Sequence, residues 1–131
     1  MQARIQQELP LLRQKWPELE YVEAGHWIRI PSYPLPPNWN WKECDVAFQV
    51  RAGYPGTPPY GIYVPAGILY KGERPVNYVE PASAPPPFSG KWGVFSWLPV
   101  EGKWYPTADP CAGSNLVNWV IGFAQRFREG K

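Results

Sequence analysis

The chain has 131 residues, a formal net charge of +2, 18 prolines, 8 tryptophans, 8 tyrosines and 5 phenylalanines. That length suggests one domain, 1–131, with a core that stands without disulfide staples. The scattered lysines and arginines exclude a nucleic-acid footprint, and no apolar run approaches the ~20 residues that span a bilayer. The tryptophan content argues against disorder, so the prolines read as rigid loops on a folded core.

The first residues, MQARIQQELPLLRQ, are too polar for a signal peptide, so a cytosolic location is expected. Ile5, Leu9, Leu12 and Trp16 have helical spacing. Pro10 either kinks that helix or starts it, and Pro17 ends it. Tyr21 and Val22 predict a short strand, Ala24-Gly25 a turn, and Trp27, Ile28 and Ile30 a second strand. After the stiff Pro34, Pro36 and Pro37, the alternation of Val46, Phe48 and Val50 in DVAFQVRA predicts a third strand from Asp45. A proline turn over 54–59 leads into a fourth, YGIYVP. The links are too short for crossover helices, so the four strands form an antiparallel meander. From 66 to about 103 the chain reads as irregular, including the extended run ASAPPPFSG. A loop this long in a compact domain is usually functional.

The last segment carries Leu116, Trp119, Val120, Phe123 and Phe127, an amphipathic helix begun by Asp109-Pro110 or Ser114. Arg126 and Arg128 suit its C-terminal dipole. The fold class is therefore α+β.

Two cysteines and one histidine, His26, cannot make a four-ligand zinc site, and in a reducing compartment Cys44 and Cys111 stay unpaired. Cys44 reads as a half-buried strand residue and Cys111 as a loop residue. No motif is a catalytic signature by spacing alone.

The order helix, meander, Tyr54-Pro55-Gly56-Thr57-Pro58-Pro59 turn, long loop, Trp104-Tyr105-Pro106 and helix resembles the ubiquitin-conjugating (E2) fold. YPLPPNWN, DVAF, GYPGTPPYGIYV, WGVFSW and NWVIGFAQRF resemble bacterial E2-like proteins from operons that also encode an E1-like enzyme, a ubiquitin-like protein and a JAB-type protease. The resemblance covers about residues 5 to 128. It implies a UBC-like fold, no metal or organic cofactor, and as partners an E1-like enzyme and a ubiquitin-like protein, with no nucleic acid and no membrane.

The E2 nucleophile is a cysteine eight residues before the tryptophan of the WxP motif, after a G-x-hydrophobic pattern. Here Gly93-Val94-Phe95 precedes Ser96, which stands in that place. A serine hydroxyl is a weak nucleophile and needs a base or a polarising site. The E2 His-Pro-Asn stretch has a counterpart in Arg74-Pro75-Val76-Asn77, which makes Asn77 the candidate oxyanion donor and leaves the histidine missing. Some relatives carry a histidine just after the nucleophile, where Leu98 stands here. Asp109, Glu80, Glu101 and His26 are the candidate bases.

The resemblance therefore implies an E2-like acyl carrier that holds the ubiquitin-like C-terminus as an oxyester on Ser96. The alternatives are an inert E2 variant that binds the ubiquitin-like protein noncovalently, a thioester carrier on Cys111, and a plain scaffold. Ser96 also reads simply as a loop serine between aromatics, Asn77 as a turn residue, and His26 as structural.

Overall fold

The structure is a computed structural model, and it describes residues 1–99 and 104–130. It contains an N-terminal helix α1 (Gln2–Lys15), strands β1 (Glu20–Val22), β2 (Trp27–Pro34), β3 (Glu43–Gln49), β4 (Ile62–Pro65), β5 (Tyr78–Val79) and β6 (Trp92–Phe95), and a C-terminal helix α2 (Leu116–Glu129). The strands form one antiparallel sheet in the order β1-β2-β3-β4-β6-β5.

The first four strands fall where alternation and turn residues put them. The sheet is nevertheless six strands wide, because β5 and β6 arise inside the stretch that reads as irregular from sequence. WGVF is a four-residue apolar run without alternation, and Tyr78-Val79 is shorter than any pattern can register. Pairing with β4 makes them strands: Ile62 lies opposite Phe95 and Val64 opposite Gly93, and Tyr78 then pairs Phe95 from the other side. β3 also begins two residues before Asp45, so Cys44 lies within it and is buried, not half-buried.

Parity organises the sheet. Ile28 faces Phe48, Ile62 faces Phe95, and Phe95 faces Tyr78, so one row of apolar side chains crosses the sheet on its inner face. Both helices cover that face. α1 contributes Ile5, Leu9 and Leu12, and α2 contributes Leu116, Trp119, Val120, Phe123 and Phe127, all within one core cluster. α1 continues through Pro10, so the proline does not start it. A mid-helix proline costs ~3 kcal/mol, and burial of the Ile5, Leu9 and Leu12 stripe offsets it.

The cap of α2 lies one residue beyond Ser114. Asn115 caps it, with its side-chain oxygen accepting from the N–H of Asn118 at 2.8 Å. Gly130 ends it in the left-handed conformation, φ 77°. Two aromatics, Tyr33 near the end of β2 and Trp39 in the loop after it, pin the helix: Tyr33 Oη donates to the Val120 carbonyl at 2.8 Å, and Trp39 Nε1 to the Phe127 carbonyl at 2.9 Å. The ASAPPPFSG run lies over the outer face, where the Arg29 guanidinium sits 5.7 Å from the Phe88 ring centre. No helix among the described residues is long and apolar enough to cross a membrane.

Candidate functional site

Ser96 directly follows β6. Its neighbours Phe95 and Trp97 are both buried, and their rings stack at 4.2 Å, whereas Ser96 itself is exposed. This is the strand alternation carried one step past the ladder: two rings point into the core and the residue between them points out. The backbone is fixed on both sides. Ser96 N–H donates to the Asn77 carbonyl at 2.9 Å, and Gly61 N–H donates to the Trp97 carbonyl at 2.6 Å.

Asn77 directly precedes β5, so the Tyr78–Phe95 pairing carries it to a place opposite Ser96. Its φ of 60° is left-handed, a conformation asparagine adopts more readily than most side chains. Ser96 and Asn77, nineteen positions apart in sequence, are thus adjacent in space.

Gly93, in the same short strand, has a packing role. A Cβ built there would lie 2.1 Å from Tyr78 Oη and 2.4 Å from Tyr78 Cζ. The Tyr78 ring crosses over Gly93 and delivers its hydroxyl to Glu80 Oε2 at 2.7 Å. Burial, and then that carboxylate, raise the Tyr78 pKa.

The proline turn over 54–59 is held by the tryptophan of Trp104-Tyr105-Pro106. Trp104 Nε1 donates to the Pro55 carbonyl at 2.7 Å, and its ring lies 6.2 Å from Tyr54. Two motifs fifty residues apart in sequence therefore form one structural unit beside β4.

None of the described candidate bases is hydrogen-bonded to Ser96. Glu80 is committed elsewhere: it accepts from Tyr78 Oη, from the Gly67 N–H at 2.8 Å and from Arg74 at 3.1 Å. The Tyr78 bond, followed by the Gly67 N–H, lowers its pKa. Asp109 Oδ1 accepts from the Cys111 N–H at 2.9 Å in the turn before α2. His26 Nδ1 pairs with Tyr21 Oη at 2.9 Å in the β1–β2 turn. Three strand spacings, about 14 Å, separate β2 from β6, which puts His26 outside hydrogen-bond reach of Ser96. Glu101 lies outside the described residues.

The cysteines divide as their burial dictates. Burial, then the nearby Asp45, push the Cys44 thiol up to about 12, which makes it an inert core residue. Cys111 is exposed in the turn before α2. Among the described residues no group of three or more His, Cys, Asp or Glu could hold a metal ion.

Sequence reasoning missed a buried polar cluster beneath the proline turn. Glu8 is 0% exposed. Its Oε2 accepts from Arg4 Nε and from Tyr54 Oη, each at 2.7 Å, and its Oε1 accepts from the Leu116 N–H at 2.7 Å. Arg4 Nη1 continues to the Thr107 carbonyl at 2.6 Å. One carboxylate therefore joins α1, the turn at Tyr54 and the first turn of α2, where a negative charge also suits the helix dipole. Burial, and then the Glu8 carboxylate, raise the Tyr54 pKa. A signal was present in the sequence: Glu8 falls between Ile5 and Leu12 at helical spacing, within the apolar stripe.

Comparison of the chain with protein-family models, with curated proteins and with solved structures gives no match.

Proposed function

We propose that this chain is an E2-like acyl carrier of UBC-like fold. In this reading β1 to β4 are the E2 meander, and β5 and β6 are its active-site stretch in extended form. The chain accepts the C-terminal acyl group of a ubiquitin-like protein from an E1-like enzyme. Ser96 Oγ attacks the thioester carbonyl, a C–O bond forms, the C–S bond breaks, and the serine proton leaves with the departing thiolate. Transfer to an amine or hydroxyl then breaks the C–O bond and returns a proton to Ser96. The oxyester lies downhill from the thioester and is less reactive toward amines. Discharge therefore depends on stabilising the oxyanion, the role assigned here to the Asn77 side-chain amide.

The observation that carries this reading is the pairing of Ser96 with Asn77. An exposed hydroxyl stands between two buried rings, and its backbone is bonded to the residue proposed as oxyanion donor. The docking of Trp104 on Pro55 supports it, since it links the two motifs that suggest the family.

A second reading is favoured by a specific observation. No described carboxylate or imidazole is bonded to Ser96, and the acidic candidate that follows β5, Glu80, already serves Tyr78, Gly67 and Arg74. On that reading the chain is an inert variant that binds the ubiquitin-like protein without acylation.

The deciding experiment incubates the protein with an E1-like enzyme, a ubiquitin-like protein and ATP, followed by intact mass spectrometry. An adduct that survives thiol, yields to alkaline hydroxylamine and is lost in Ser96→Ala establishes the oxyester. A thiol-labile adduct lost in Cys111→Ala moves the nucleophile to Cys111. Binding without an adduct establishes the inert variant.

A further inference from the structure

The run ASAPPPFSG, residues 82–90, is a loop between β5 and β6 whose base is tied twice. Ala82 N–H donates to the Trp92 carbonyl at 2.8 Å, and Trp92 Nε1 donates to the Phe88 carbonyl at 3.2 Å. Between those ties stand three consecutive prolines, Pro85, Pro86 and Pro87, and the peptide bonds before them are trans. Each ring holds its φ near about −65°, and a residue that precedes a proline is kept extended. The stretch 84–87 is thereby fixed as about one turn of polyproline II.

Three independent features set this turn apart from a plain cover for the sheet. The first is which rings face outward. Polyproline II has three residues per turn, so successive side chains point about 120° apart. Pro86 is buried, whereas Pro85 and Pro87 are exposed, and Ala84, one turn before Pro87, is exposed with it. Packing on the protein uses one face of the turn and leaves two faces in solvent. The second is the backbone. Among the described residues no hydrogen bond reaches a carbonyl from Ser83 to Pro87, and the three prolines have no N–H. The exposed main chain is thus a row of acceptors without donors. The third is charge. Residues 81–90 carry none, so ion pairing within the run contributes nothing to recognition, which rests on ring shape and carbonyl oxygens.

We propose that this proline turn is a docking site for a protein domain whose groove is walled by aromatic rings and carries indole or phenol donors. Flat rings fit the clefts beside exposed prolines, and an indole N–H or a tyrosine O–H meets the free carbonyls. The fixed φ angles and the tied base leave little conformational freedom to lose on binding. The inference does not depend on acyl chemistry at Ser96.

The test titrates the ¹⁵N-labelled protein in turn with three purified domains that read polyproline II, an SH3, a WW and an EVH1 domain, and follows its amide and indole signals. The expected result is a saturable shift with at least one domain, confined to residues 82–92 and including the Trp92 indole, with a Kd of about 1 mM or tighter. Pro85→Ala and Pro87→Ala together should weaken that binding at least about 5-fold. Both rings are exposed, so the double variant keeps the fold. Pro10→Ala, which removes an exposed proline elsewhere, and Ser96→Ala should bind like the parent. The proposal is overturned if none of the three domains gives a saturable shift at about 1 mM, if the shifts lie outside residues 82–92, or if the double variant binds like the parent.

Discussion

Glu8→Gln probes the buried cluster most directly. The substitution keeps the shape of the side chain and removes its charge. The three groups around Glu8 are all donors: Arg4 Nε, Tyr54 Oη and the Leu116 N–H. A glutamine amide has one oxygen and one NH₂. If the NH₂ faces Arg4 and Tyr54, it opposes two donors, and if it faces Leu116, it opposes the first N–H of α2. One buried donor left unmet costs about 1–3 kcal/mol. Arg4, itself 8% exposed, also loses its counter-ion. Removing one member of a buried ion pair typically costs 3–5 kcal/mol, so the total expected is about 3–5 kcal/mol. Against a typical stability of 5–15 kcal/mol this is a large share. In urea denaturation the midpoint should fall by at least about 1 M for an ordinary m-value. Arg4→Met combined with Glu8→Gln should lose less than Glu8→Gln alone, because the stranded cation is gone. Hydrogen exchange at the Leu116 amide should also accelerate in Glu8→Gln. A loss below about 1 kcal/mol, or a double variant less stable than the single one, would refute the assignment of Glu8 as the ionised hub.

Gly93→Ala should destabilise the protein by about 1–3 kcal/mol, since the new methyl meets the Tyr78 ring; Tyr78→Ala should relieve the clash, giving a non-additive double variant in chemical denaturation. In thiol titration with a disulfide reagent, Cys111 should react in the native protein and Cys44 only after unfolding. Because the folded pKa of Cys44 is raised to about 12, the folded state keeps a proton that the unfolded state releases above its ordinary value. Stability should therefore fall as pH rises above about 9, by at most ~1.4 kcal/mol per pH unit from this group, and Cys44→Ala should remove that component of the slope. Trp104→Phe removes the bond to the Pro55 carbonyl and should cost about 1 kcal/mol in denaturation.

The helices were legible because their signals are periodic and local. All five apolar residues that mark α2 in sequence are buried in the structure. The first four strands were legible for the same reason. β5 and β6 were not, because a pair of residues and an unalternating WGVF become strands only by pairing with β4, a long-range event. The adjacency of Ser96 and Asn77 likewise depends on that pairing, so motif register could name both residues without placing them together. The start of α2 was misjudged by one residue because Ser114 and Asn115 are both good caps, and Ser114 Oγ is taken by the Tyr105 N–H. The Glu8 cluster was hidden because burial of a charge depends on three partners from distant segments.

The sheet ends on one side in β1, three residues long, and on the other in β5, two residues long and followed by Glu80 and then Pro81, which has no N–H to offer. Neither terminal strand itself presents enough free backbone to template another strand. β1 and β5 are therefore poor templates for prolonging the ladder. On the proposed reading, recognition of the ubiquitin-like protein would rest on side chains, on the helices, the proline turn and the loops around Ser96. Point substitutions on those surfaces can retune it without touching the sheet.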